Sequence, residues 1–234
     1  MKIIAFIFAR GGSKGLPNKN IRLLNGKPLL QYSIDVAKQI PTITDIFVST
    51  DCKQTAEVAR KNNVKVIKRP LELALDSTPE WLAWRHAVEY VNKNFGEFNY
   101  FISLPTTSPL RNRDDVQASI NKLIESNADI CIGVSPASRS PYFNMVSMKP
   151  NNEVELVITP NKLVTRRQDS PDVYDITTTV YAATTQFIMK KNSIFDGKTV
   201  ATIIPKSRSI DIDDIYDFKF AETLIKNEEL DVKK

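Results

Sequence analysis

Ile3 to Phe8 is an unbroken apolar run, Ile-Ile-Ala-Phe-Ile-Phe, soon followed by glycine. Six residues are short for a helix, so the run predicts a strand buried on both faces. From Lys27 to Ile40 the apolar positions Leu29, Leu30, Ile34, Ala37 and Ile40 recur at helical spacing, with Pro28 suited to the first turn. Asp45–Ser49 predicts a second strand, Gln54–Asn62 a short helix and Val64–Ile67 a third strand. A helix from about Pro79 to Asn94, a strand Tyr100–Leu104, a helix from near Asn112 and a strand Asp129–Ser135 continue the alternation. Strands alternating with helices predict an α/β fold with a parallel, doubly wound sheet, whose ligands sit beyond the carboxyl ends of the strands.

After Ser135 the rhythm changes. Pro136 to Val180 holds Pro-containing turns, alternating strand-like pieces such as Glu153–Ile158 and no good helix, which predicts an antiparallel excursion from the sheet. A late strand Thr199–Ile204 and a helix Ile215–Asn227 follow, then a charged stretch Glu228–Lys234 expected to fray. With no internal repeat and no linker, residues 1–234 read as one domain carrying an arm at about 136–180.

No run of about 18 apolar residues predicts a membrane span. Met1-Lys2 leads straight into the first strand, leaving no room for a signal peptide, and Cys52 and Cys131 lie far apart without partners at metal spacing. A cytoplasmic protein with two reduced thiols is expected. The net charge of +5 invites a nucleic-acid reading, but the cations gather in loops beside glycines, with no aromatic interleaving. An anionic small substrate accounts for it better. With His86 as the sole histidine, placed mid-helix as a packing or surface residue, neither a catalytic triad nor a histidine metal site can be built.

The chemistry concentrates where the first strand ends, in Ala9-Arg10-Gly11-Gly12-Ser13-Lys14-Gly15-Leu16-Pro17-Asn18-Lys19-Asn20. Glycines let a backbone turn tightly and bring its N–H groups near an anion, and Arg10, Lys14 and Lys19 add fixed charge, so a triphosphate suits this loop. It is neither standard fingerprint: Lys14 precedes Gly15 instead of following it, and Arg10 stands where the dinucleotide pattern needs glycine. A solvated basic turn is the alternative. Asp51 ends the second strand as either a ligand contact or a cap of the next helix. Ser77-Thr78-Pro79-Glu80 has the form of a capping box for the helix that follows. Arg166 and Arg167 suit a substrate carboxylate, since guanidinium pairs with it bidentately, or form rim salt bridges. In extended backbone, residues two apart share a face, so Asp211 and Asp213 converge. Facing phosphates, they need a cation between, and Mg²⁺ takes one or two carboxylates plus phosphate oxygens; alternatively Asp213 or Asp214 only caps the last helix.

The segment Ala9–Ile21 closely resembles the signature of the acylneuraminate (nonulosonic acid) cytidylyltransferases, which make CMP-activated sialic-acid-like sugars from CTP. Further matching stretches are Lys68–Thr78, Pro105–Arg111, Pro141–Val146, Thr165–Asp169 and Ser209–Asp214, so the resemblance spans nearly the whole chain. It implies a Rossmann-like, mostly parallel sheet with an antiparallel dimerisation arm, a homodimer, CTP and an acidic nine-carbon sugar as substrates, and Mg²⁺ (or Mn²⁺) as cofactor. It implies nucleotide contacts from Ala9, Arg10, Gly11, Gly12, Ser13, Lys14, Lys19, Asn20 and Arg69, with Ser77 or Thr78 at the cytosine edge. Arg10, Lys14 and Lys19 would neutralise the phosphates, and Asp211 and Asp213 would hold the metal. Sugar contacts would come from Thr107, Ser108, Arg111, Arg166, Arg167 and Gln168, some from the partner subunit. Two departures alter the expected pocket: Pro105 stands where the family has Gln, and Ile176–Tyr181 carries a threonine run where Asn-Gly is usual. Two other readings remain, an inactive dimeric nucleotide- or sugar-binding module and an octulosonate cytidylyltransferase. No general base stands out.

Overall fold

The computed structural model describes residues 1–160 and 166–231; the side chains of Arg167 and of 228–231 are outside that description. The chain runs β1 (Ile3–Phe8), β2 (Leu23–Leu24), β3 (Lys27–Pro28), α1 (Leu29–Lys38), β4 (Ile43–Thr50), α2 (Lys53–Lys61), β5 (Lys65–Lys68) and α3 (Glu80–Phe95). It continues through β6 (Tyr100–Ser103), α4 (Arg113–Glu125), β7 (Ile130–Pro136), β8 (Val146–Met148), β9 (Val154–Leu156), β10 (Tyr174–Thr184), α5 (Thr185–Lys190), β11 (Thr199–Ile203) and α6 (Ile215–Asp231).

Seven strands form the main sheet in the order β11-β7-β10-β6-β1-β4-β5. All pairings are parallel except those of β10, which runs antiparallel between β6 and β7. The α/β, doubly wound, mostly parallel sheet expected from the alternation is present. β1 lies near its middle and is buried throughout, because its side chains feed both faces. Ile3, Ala5 and Ile7 join the core under α1, α2 and α4. Ile4, Phe6 and Phe8 join the core under α3 and α5, where Phe6, Phe47, Phe101 and Trp84 pack ring against ring.

A third apolar cluster, Leu16, Leu24, Leu29, Ile212, Phe218 and Ala221, closes the carboxyl end of the sheet. It ties the loop after β1 to the segment before α6. These two stretches are nearly two hundred residues apart in the chain.

Three expectations are corrected here. The excursion after β7 does not run to Val180: β8 and β9 make a separate two-stranded hairpin, but Tyr174 onward is β10, a strand of the main sheet. Ser77–Glu80 makes no capping box; Pro79 is the N-cap of α3, without a side-chain bond, and Thr78 Oγ1 instead donates to the Glu72 carbonyl at 2.7 Å. The reciprocal box that does form is Asn112 with Asp115 at the start of α4. Finally, α6 continues four residues past Asn227, to Asp231; 232–234 lie outside the described residues.

Candidate active site

The carboxyl ends of β1, β4, β5 and β6 open into a cleft of about 610 Å³. Arg10, Ser13, Lys14, Gly15, Lys19 and Asn20 form one wall and Arg69, Asp76, Thr78 and Glu80 another, with Thr106, Thr107, Thr178, Tyr181, Asp211 and Asp213 completing it. Four cations (Arg10, Lys14, Lys19, Arg69) face four carboxylates (Asp76, Glu80, Asp211, Asp213), so the free cleft is close to charge-balanced.

The loop after β1 is held from beneath. Asp51 accepts the Gly11 N–H at 2.7 Å, and a Cβ on Gly11 would lie 3.2 Å from that carboxylate. Asp51 is therefore a loop anchor; the cap position of α2 is Cys52, with no side-chain bond. Gly12 has φ +69, the left-handed region that glycine enters without strain. Ala9, Gly11 and Gly12 thus shape the loop without lining the cleft, whereas Arg10, Ser13, Lys14 and Lys19 line it. Asn20 is buried: its Nδ2 donates to the Arg10 carbonyl at 2.8 Å and its Oδ1 accepts from Thr106 at 2.5 Å, tying the loop to the end of β6.

Opposite the loop, Ile212 is fully buried while its neighbours turn to the cleft, as period-two backbone requires. Ile212 N–H donates to the Thr107 carbonyl at 2.8 Å, and its own carbonyl accepts from Lys19 Nζ at 2.6 Å. Lys19 Nζ also stands 3.4 Å from Asp213 Oδ1. Asp214, not Asp213, caps α6: its Oδ1 accepts from Tyr216 N–H at 2.7 Å and Asp217 N–H at 3.1 Å. Asp213 is left exposed toward the cleft, and Asp211 Oδ1 is buried with no hydrogen-bond partner. An unsatisfied buried carboxylate oxygen on the same cleft wall as a second, exposed carboxylate fits a hard divalent cation that completes its shell with phosphate oxygens and water. Among the described residues no group of three or more His, Cys, Asp or Glu side chains is placed to hold a metal ion.

Arg69, 5% exposed, donates from Nε to Ser49 Oγ at 3.2 Å and from Nη2 to the Ser49 carbonyl at 3.0 Å, with its guanidinium over the Phe8 ring. Burial pulls it down from the usual arginine range, while Glu80 and Asp51 oppose the shift. Glu80 is an exposed residue that also lines the cleft wall, and it makes no ion pair among the described residues; desolvation raises its carboxyl, Trp84 and Arg69 partly offset this and Asp211 adds to it. Tyr181 packs on Trp84, and burial pushes its hydroxyl up to about 12.

The remaining predicted residues divide. Thr107 lines the cleft and, with Ser108 beneath it, bonds Thr178 (3.2 and 2.7 Å). Thr178 stands where the β10–β7 ladder breaks, between Ile176 and Tyr181 opposite Gly133. A Cβ at Gly133 would lie 2.8 Å from Thr177 Oγ1, so the glycine makes room for the bulge that turns Thr178 to the cleft. Ser77 is exposed and does not line the cleft; Thr78 does. Arg111 is neither surface nor cleft: it is 3% exposed under the loop, donating to the Pro105 carbonyl and to Ser33 Oγ, and desolvation lowers it to about 9. Arg166 is pinned to Asp169 by two bonds of 3.0 Å, and neither it nor Gln168 reaches the cleft of its own chain. Thr165 and the Arg167 side chain lie outside the described residues.

One contact had no sequence signal. Asp76 binds both Arg10 and Lys14, and these partners hold its carboxyl below the usual range. Its position in the segment after β5 was visible; its partners, more than sixty residues upstream, were not.

Residues 4–230 match the cytidylyltransferase family. The chain belongs to that family. It is 33% identical to CMP-N,N′-diacetyllegionaminic acid synthase of Campylobacter jejuni, over 99% of this chain and 98% of that one. It is equally similar, at 33%, to post-translational flagellin modification protein B of Campylobacter coli, with the same coverage. N-acylneuraminate cytidylyltransferase of Streptococcus agalactiae is 28% identical over 93% of this chain, which spans 52% of that longer protein. Among solved structures, a CMP:2-keto-3-deoxy-manno-octonic acid synthetase complexed with CTP matches 97% of this chain and all of its own with a TM-score of 0.74, at 16% identity, which bears on the fold alone. The resemblance carried by Ala9–Ile21 is borne out.

Proposed function

We propose that this cytidylyltransferase transfers CMP from CTP to the anomeric hydroxyl of a nonulosonic acid and releases pyrophosphate. The observation that carries the reading is the clasp at Ile212, which sets the cationic loop and the Asp211–Asp213 pair on facing walls of one cleft. Phosphoryl transfer asks a protein mainly for positioning and charge neutralisation. Arg10, Lys14 and Lys19 meet the triphosphate, and Arg69 with Thr78 faces the nucleoside. Asp211 and Asp213 would hold Mg²⁺, which when bound would supply charge neutralisation at the phosphates. Asn20 keeps the loop in register with Thr106, and Thr107 and Thr178 line the acceptor end. Residues 1–234 act as one catalytic domain, and the enzyme works in the cytoplasm; among the described residues no helix is long and apolar enough to cross a membrane.

The acceptor we favour is an N,N′-diacetylated legionaminic-type acid. The support is full-length similarity to the Campylobacter jejuni enzyme of that name, together with hydroxyl-bearing Thr106, Thr107 and Thr178 around Pro105, where sialic acid enzymes were expected to present Gln. Pyrophosphate release from Mg-CTP with a panel of legionaminic, pseudaminic, sialic and octulosonic acids tests it. Turnover with none of the panel overturns the enzyme reading; best kcat/KM on sialic acid overturns the choice of acceptor.

We also propose a homodimer through the arm. Met145, Val146, Met148, Val154, Val157, Ile158, Tyr174 and Ile176 are all at least 41% exposed, an apolar surface on and beside β8 and β9 and at the start of β10 that a partner would cover. Arg166, Arg167 and Gln168 then approach the partner's cleft rather than their own.

A further inference from the structure

Arg10 and Lys14 are not free to receive phosphates. Arg10 donates from Nη1 to the Ala74 carbonyl at 3.2 Å and pairs through Nη2 with one oxygen of Asp76, while Lys14 takes the other oxygen. Lys14 is 80% exposed and has no other ion pair among the described residues, so Asp76 is what holds it at the cleft. A carboxylate bridging two cations occupies the place that two phosphate oxygens need. With the cleft already balanced at four charges of each sign, a polyphosphate and this carboxylate cannot share the two cations.

We infer that Asp76 is an internal competitor of the β- and γ-phosphates: it holds Arg10 and Lys14 in the free enzyme, yields them to the triphosphate and takes them back as pyrophosphate leaves. This rests on reading the loop as the triphosphate site. Arg10 keeps its bond to the Ala74 carbonyl through the exchange, so the 71–78 segment stays docked while only the carboxylate swings out. Asp76 is more than one-third exposed and its segment is irregular around a single 3-10 turn, Leu71–Leu73, so the swing breaks no core packing. The residue acts by positioning; it touches no reacting atom. Its consequence is weak retention of the leaving group. Any anion too small to bridge Arg10 and Lys14 gains nothing from its displacement.

The test is calorimetric titration of the full chain, in Mg²⁺, with inorganic pyrophosphate, CTP and CMP, comparing wild type with Asp76→Asn and Asp76→Ala. Removing a competing state raises apparent affinity by the inverse of the competent fraction. Both variants should bind pyrophosphate roughly tenfold tighter and CTP tighter by a similar factor, with CMP affinity unchanged. Pyrophosphate should become a correspondingly stronger product inhibitor. Unchanged or weaker pyrophosphate binding in folded variants, confirmed by an intact melting transition, overturns the inference, because Asp76 would then be a permanent brace of the loop. Equal tightening of CMP also overturns it. Failure of wild type to bind CTP at all would instead strike the functional reading, so the two failures are distinguishable.

Discussion

Gly15 packs so closely on Asp213 that a Cβ at position 15 would collide with the Asp213 backbone carbonyl. The glycine lets the cationic loop and the aspartate segment touch backbone to backbone, with Lys19 bonded to Ile212 alongside. Leu16 and Ile212 share one buried cluster immediately behind this contact. The spacing between the cationic loop and the Asp211–Asp213 segment is therefore set by an absent side chain.

Gly15→Ala should separate these walls. Forcing one extra methyl into a packed contact costs about 1–3 kcal/mol. About 1.4 kcal/mol of that, spent on misplacing Asp213, corresponds to roughly a tenfold loss of turnover. The expected outcome is a folded protein whose kcat falls at least that far and whose Mg²⁺ requirement rises. Steady-state kinetics over a metal series check this; wild-type kcat would show that the backbone contact is not used.

Glu80 offers a stability prediction. Desolvation raises its carboxyl in the folded protein. The folded state thus holds the proton more tightly than the unfolded chain, whose glutamate titrates near about 4.3. Stability then falls as pH rises from that value through the raised one, and the cost persists at neutral pH. Because Glu80 also reaches solvent, which screens part of that cost, Glu80→Gln should melt only slightly higher than wild type at pH 7, with the difference shrinking to nothing below about pH 4. Melting curves at pH 4 and pH 7 decide it, and equal melting temperatures at pH 7 would mean the charged carboxylate is at no cost in the cleft.

Assembly can be read from the arm. Covering the exposed β8–β9 face and the start of β10 needs a partner, so the active enzyme should sediment as a dimer at micromolar concentration. Paired charges on that face, Val146→Glu with Met148→Glu, should shift it to monomer and raise the KM for the sugar acid more than that for CTP, since Arg166–Gln168 would lose the partner's cleft. A fully active wild-type monomer would sink the assignment.

Much of this architecture was readable from the chain because it is written in local periodicity. The all-apolar Ile3–Phe8 run and the helical spacing after Lys27 both became the elements they predict. The two-residue spacing of Asp211 and Asp213 likewise put both on the cleft. What could not be read was long-range partnership. Asp51 looked equally like a cap or a ligand contact until Gly11 was seen 40 residues away at its carboxylate. The family resemblance implied a substrate contact at Arg111, yet it is buried under the 105–110 loop with Pro105 and Ser33. The Thr177–Thr179 bulge depends on Gly133 in a neighbouring strand, and nothing in either stretch alone specifies it.

The aspartate pair gives the sharpest test. Asp214 satisfies the start of α6, so neither Asp211 nor Asp213 is needed as its cap. Asp211 Oδ1 is buried without a partner, and Asp213 has only Lys19, at 3.4 Å. Substituting Asn keeps the shape of each side chain while removing anionic oxygen, which hard divalent ions prefer. Asp211→Asn and Asp213→Asn should therefore lose roughly a hundredfold or more in turnover, the scale of a lost transition-state charge contact. Raised Mg²⁺ or Mn²⁺ should recover part of the rate. Folding should persist in both variants, since neither side chain caps α6. Adding Mg-CTP should raise the melting temperature of wild type more than that of either variant, because a ligand stabilises only the state that binds it. Wild-type turnover with an unchanged metal requirement in both variants would remove the metal from these two residues.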